Sequence, residues 1–196
     1  MPSHASPSSS TNRGAINPHG TRQRARIALF AAAALLLFLL ERLLPNPLPW
    51  VRLGLANAVT LIVLWEYGAV SAAIVVLLRL LLGGLFAATL LGPQFWLAVS
   101  GAVGSLCIMV IATRVGRSLW SPLGVSVLGS VAHAAAQLLA VAFLFGAGWG
   151  VLSFLPLFLA VSLITGVITG SVADALLARM ELARVPQATD APQPRP

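Results

Sequence analysis

Apolar positions along this chain come in blocks rather than at the intervals of an amphipathic helix or strand. Six stretches approach the roughly 20 residues needed to cross about 30 Å of hydrocarbon. They cover residues 27–44, 50–65, 69–91, 95–113, 123–145 and 151–177. The breaks between them are chemically distinct. ERLLPNPLP closes the first with three prolines in five residues, which no helix can continue through. Glu66-Tyr67-Gly68 separates the second from the third, Gly92-Pro93 ends the third, and residues 114–122 form a polar connection after the fourth. The second stretch is short and carries Asn57 and Thr60, so a partly re-entrant segment is its alternative reading. This pattern predicts an all-α membrane protein, a compact bundle of about six transmembrane helices.

Flanking this predicted domain of 26–178, residues 1–25 and 179–196 are rich in Ser, Pro, Gln and Arg and contain little to bury. They read as disordered tails. The basic stretch before the first apolar block also suits a cleaved signal peptide. No small-x-small cleavage site precedes Glu41 and Arg42, however, so a retained first span is the reading adopted.

Composition strengthens the membrane assignment: 58% of the 196 residues are hydrophobic and 9% charged, where soluble domains carry about a quarter charged residues. The net charge of +7 comes from twelve Arg and no Lys. Most of these Arg sit in the N-terminal segment, around Arg114 and Arg117, and in the C-terminal segment. With six spans, all three regions fall on one side. The positive-inside rule makes that side cytoplasmic, with both termini there and the body in an inner membrane. This distribution is a topology signal rather than a nucleic-acid footprint.

Candidate chemistry is sparse. The five acidic residues are Glu41, Glu66, Asp174, Glu181 and Asp190, and no two are close enough to form an Asp-rich metal site. A phosphate-cradling GxxxxGK[ST] loop is absent. Cys107 is alone, which excludes a disulfide framework and a thiolate metal cluster, and reads as a packing residue. His133 is the one histidine outside the N-terminal tail. The expectation is therefore a non-enzymatic protein with no catalytic residue, metal or cofactor of its own.

Polar residues inside spans are costly in hydrocarbon and mark internal contacts or a ligand. Ser126, Ser130, His133 and Gln137 recur at helical spacing on the fifth span, where they either contact a ligand or bond neighbouring helices. Arg79 is the cation deepest in a span, and Asp174 offers it no partner at matching depth. With Arg52 and Asn57 near the outer connection, the candidate substrate-binding set is Arg52, Asn57, Arg79, His133 and Gln137. Ala28 and Ala32 give the first span a small-residue face, as Gly166 and Gly170 do for the sixth. Such faces serve internal packing more often than docking, yet Ala28 and Ala32 are the candidate partner-docking pair.

The runs ERLLPNPLPWVRLGLAN, LLRLLLGGLF and LGVSVLGSVAHAAAQLL resemble the Gx transporter family, also labelled heptaprenyl diphosphate synthase component I. Glu41, Arg52, Gly54, Asn57, Arg79, Gly83, His133 and Gln137 stand at its motif positions. That family is similar to the six-helix substrate-binding S components of energy-coupling factor transporters. The likeness implies a small-molecule uptake subunit for a vitamin or an isoprenoid- or quinone-related precursor, working with a transmembrane coupling subunit and ATPases. The synthase label implies instead a non-catalytic membrane accessory subunit of a soluble prenyl diphosphate synthase in menaquinone biosynthesis.

Overall fold

The computed structural model describes residues 18–43, 54–117, 119–144, 146 and 148–184. The expected tails at 1–17 and 185–196 and the proline-rich connection bearing Arg52 lie outside the described residues. Within them the fold is all-helical: α1 (Pro18–Leu43), α2 (Leu55–Phe86), α3 (Pro93–Gly116), α4 (Pro122–Leu144) and α5 (Leu155–Arg184), with a 3-10 turn at Trp149–Phe154 before α5. Five helices are long and apolar enough to cross a membrane, against the six spans counted from the sequence.

The difference lies in α2, which contains both the second and third expected spans. At Gly68 the backbone leaves helical geometry (φ 84°, ψ 177°), a combination open essentially to glycine alone. Asn57 and Arg79, 22 residues apart, hydrogen-bond at 3.1 Å. In an unbroken helix the same residues would stand about 33 Å apart, at about 1.5 Å per residue. The two are equidistant from Gly68, so the chain folds back on itself there into two antiparallel limbs, 55–67 and 69–86. The turn expected at Glu66-Tyr67-Gly68 is this reversal, made by a single residue rather than a loop.

The limbs have opposite environments. In the first, Ala56, Val59, Leu61, Ile62, Val63 and Leu64 are buried, covering every face of the helix. This limb forms the centre of the bundle, joined by Ala31 and Ala34 of α1, Met109 and Ala112 of α3, Val125 of α4 and Ala173 and Leu177 of α5. In the second limb, Ser71, Ala72, Val75, Val76, Arg79, Leu80, Gly83 and Gly84 are buried at a helical period, while Val70, Leu77, Leu81 and Leu85 on the other side are exposed. A helix whose exposed side is Leu and Val and whose inner stripe holds the charge is built for lipid.

Local sequence fixes the helix ends. Pro18 is tolerated in the first turn of α1, so helix precedes the apolar block by several residues. The second limb stops at Phe86 rather than at Leu91. There the Thr89 and Ala88 amides bond the Gly84 and Leu85 carbonyls, with Ala88 left-handed at φ 52°, the pattern of a Schellman cap. Pro93 opens α3 behind Gly92. Ser121 caps α4 by accepting the Gly124 amide at 3.1 Å ahead of Pro122.

Glycines set the closest helix contacts. A Cβ at Gly166 or Gly170 would lie 2.9 Å from the Cα of Val127 or Leu123, so α5 meets α4 backbone to backbone. These two glycines serve internal packing. Cys107, expected to pack, is exposed on α3.

A side chain at Gly68 would meet nothing within 4 Å, so the demand for glycine there comes from the backbone alone. Gly68→Ala and Gly68→Val should therefore lose similar stability, about 1–3 kcal/mol each, read as matching decreases in Tm in detergent. A marked difference between them would instead point to steric crowding.

Candidate functional site

Where the first limb of α2 begins, the helix lacks a capping side chain, because its N-cap is Gly54 in the left-handed region (φ 71°). Its first amides need acceptors that neither water nor lipid supplies in a packed bundle. Glu41, at the end of α1, provides them. Its carboxylate accepts the Leu55 amide and lies against those of Gly54 and Ala56. A carboxylate at a helix N-terminus also meets the positive end of the helix dipole.

The same carboxylate lies in the field of Arg79, whose Nη1 donates to Asn57 Oδ1 at 3.1 Å. Glu41 and Arg79 are each only 5% exposed. Three segments that must be held together, α1 and the two limbs of α2, thus meet at one buried acid, one guanidinium and one amide. Arg79 finds its acidic neighbour in Glu41, which the family resemblance placed at a motif position but which was not in the expected substrate-binding set. The available signal was positional: of the acids in the sequence, Glu41 is the one ending an apolar span just before the proline-rich connection.

The second group lies between α3 and α4. Gln137 Nε2 donates to the Leu97 carbonyl at 3.3 Å. His133 Nε2 and Gln137 Cγ lie 2.6 and 2.9 Å from where a Cβ on Gly101 would be, so both side chains rest on a bare stretch of α3 backbone. The lower half of the same polar stripe faces α5: Ser126 Oγ and Thr169 Oγ1 are 2.9 Å apart, and Ser130 packs on Gly166. The stripe thus divides between two neighbours, with the Ser126 hydroxyl bonded to α5 and the Gln137 amide to α3. Of the five expected substrate-binding residues, Asn57 and Arg79 come together in one group and His133 and Gln137 in another. Arg52 lies outside the described residues.

A small crevice lies where α1, the end of the second limb and the start of α3 meet. It is lined by Phe38, Leu80, Gly84, Thr89, Gln94, Phe95 and Ala98 and has a volume of about 10 Å³, the scale of a single water molecule. Phe38 closes α1 onto the second limb, its ring 2.6 Å from where a Gly83 Cβ would be. On the other side of α1, Ala28 and Ala32 are exposed, whereas Ala31 and Ala34 are buried. The expected docking pair therefore lies exposed on α1. Among the described residues no group of three or more His, Cys, Asp or Glu gathers as a metal site.

These features define a multi-pass, all-helical membrane protein held by a buried acid–guanidinium–amide cluster. The family model for heptaprenyl diphosphate synthase component I matches residues 30–176, and the chain belongs to that family. No curated protein and no solved structure matches it.

If the Glu41–Arg79 pair acts as a unit, Glu41→Gln and Arg79→Met should each lower stability by about 3–5 kcal/mol. The double variant should lose clearly less than the sum, with a coupling of about 1–3 kcal/mol. A double-mutant cycle in detergent denaturation measures it, and strict additivity would show that the two groups act independently.

Proposed function

We propose that this protein is a membrane accessory subunit of a heptaprenyl diphosphate synthase, contributing no catalytic residues and acting through a soluble, Asp-rich synthase partner. Family membership across residues 30–176 carries this reading. Two interior polar contacts fit a structural rather than a catalytic interior: Arg79 bonds Asn57, and Gln137 bonds the Leu97 carbonyl. In this reading the chain crosses the inner membrane six times, the limbs of α2 counting as two passes. Both tails then lie in the cytoplasm, where the Arg-rich segments meet the soluble partner. Ala28 and Ala32, facing outward on α1, form the docking surface for a partner helix.

Reconstituting the full chain with its candidate soluble synthase should raise product chain length and bring the two proteins down together. Unchanged product length with no co-purification would refute the reading. In the transporter reading given next, Ala28→Leu with Ala32→Leu should cut capture of the transmembrane coupling subunit by about ten-fold while leaving Tm within about 2 °C of wild type, because both positions are exposed.

A second reading draws on the first polar group. Asn57 and Arg79 meet inside the bundle, which suits the substrate-binding subunit of an uptake transporter for a vitamin or isoprenoid-related precursor. A transmembrane coupling subunit and ATPases would then co-purify. Native mass spectrometry would also find a small molecule that Asn57→Ala loses. Recovery of an empty protein that no metabolite stabilises would remove this reading.

A further inference from the structure

The reversal at Gly68 places Glu66 and Tyr67 against the start of α1, where Arg22, Gln23, Arg26, Glu66 and Tyr67 wall an open groove of about 500 Å³. Neither polar group described above lines it. Arg22 and Arg26 are one helical turn apart and share a face of α1. The Tyr67 ring is held by Phe30, with ring centroids 5.9 Å apart. Two residues before Tyr67, the Trp65 carbonyl accepts from Arg117, whose guanidinium lies 4.8 Å from the centroid of the Trp65 ring. One acid, Glu66, shares the groove lining with two guanidinium groups, Arg22 and Arg26.

The surroundings turn a basic groove into an amphiphilic one. Leu29 follows Arg26 at i+3 and Arg22 at i+7, continues the same face of α1, and is 71% exposed. Val70, just past the corner, is 76% exposed. Polar lining therefore gives way within about one turn to bare hydrocarbon-compatible surface. Guanidinium groups present paired N–H donors that match phosphate oxygens. Basic pockets at the cytoplasmic ends of membrane helices are where such headgroups are held.

We infer that this groove binds the phosphate headgroup of an anionic phospholipid, with Arg22 and Arg26 on the phosphate and the acyl chains running against Leu29 and Val70. The site does not depend on either reading of the protein's function.

The full chain, reconstituted in nanodiscs of mixed phosphatidylcholine and phosphatidylglycerol and then released for native mass spectrometry, tests this directly. Wild type should retain phosphatidylglycerol selectively. Arg22→Gln with Arg26→Gln should weaken retention by about ten- to thirty-fold. Arg22→Lys with Arg26→Lys should preserve much of it. Arg179→Gln with Arg184→Gln removes the same charge from residues that do not line the groove and should leave retention unchanged. Equal retention of both lipids by wild type, or equal loss in the two Gln pairs, would overturn the assignment. So would displacement of the lipid by millimolar inorganic phosphate or diphosphate, which would show that the groove recognises a free anion and not a lipid.

Discussion

A guanidinium inside a lipid-immersed bundle must be matched by protein, since hydrocarbon offers it nothing. Arg79 meets this constraint with Asn57 and Glu41, and most of the architecture follows from the need to bring those three together. Asn57 reaches Arg79 only because the chain reverses at Gly68. Glu41 comes within range only because α1 lies along α2, with Phe38 pressed onto Gly83. Glu41 in turn terminates the otherwise uncapped first limb of α2. One cluster therefore serves as charge compensation, as a helix cap and as the clasp between three segments.

The remaining helices are joined by a different chemistry. Where α3, α4 and α5 meet, glycines bring the helices close, Gly101 beneath His133 and Gln137, Gly166 beneath Ser130 and Gly170 beneath Ser126, and Ser126 and Gln137 bond across the gaps to Thr169 and the Leu97 carbonyl. Lipid gives apolar helices no net reason to associate, so close van der Waals contact and interhelical hydrogen bonds carry the association. On the α4 stripe, Ser126 and Gln137 make such bonds. This arrangement leaves the exterior to leucine, valine and isoleucine.

Much of this was legible in the sequence, because helix boundaries in a membrane protein are written in prolines, glycines and charges. Pro93 and Pro122 open α3 and α4 close to their expected starts, and Gly166 and Gly170 were recognisable as a close-packing face. Three things were not legible. Thirty-eight positions separate Glu41 from Arg79, and only the packing of α1 on α2 reveals that they share a depth. The stripe from Ser126 to Gln137 occupies one side of α4, so its periodicity cannot show that α5 covers one part and α3 the other. Ala28 and Ala32 differ from Ala31 and Ala34 only in the side of α1 they occupy, and a run of alanines contains no hydrophobic contrast to tell those sides apart.

The first limb of α2 has a consequence for how the protein reaches its membrane. Residues 55–67 span about 20 Å at about 1.5 Å per residue, short of a bilayer core, and in the finished bundle they touch protein on every side rather than lipid. Such a segment gains little from partitioning alone during synthesis. The second limb, with its continuous outer surface of branched aliphatics, has ample affinity for the acyl chains. Gly68 joins the two with no intervening loop, so the limb that forms the core is tied directly to the limb whose branched aliphatics face outward.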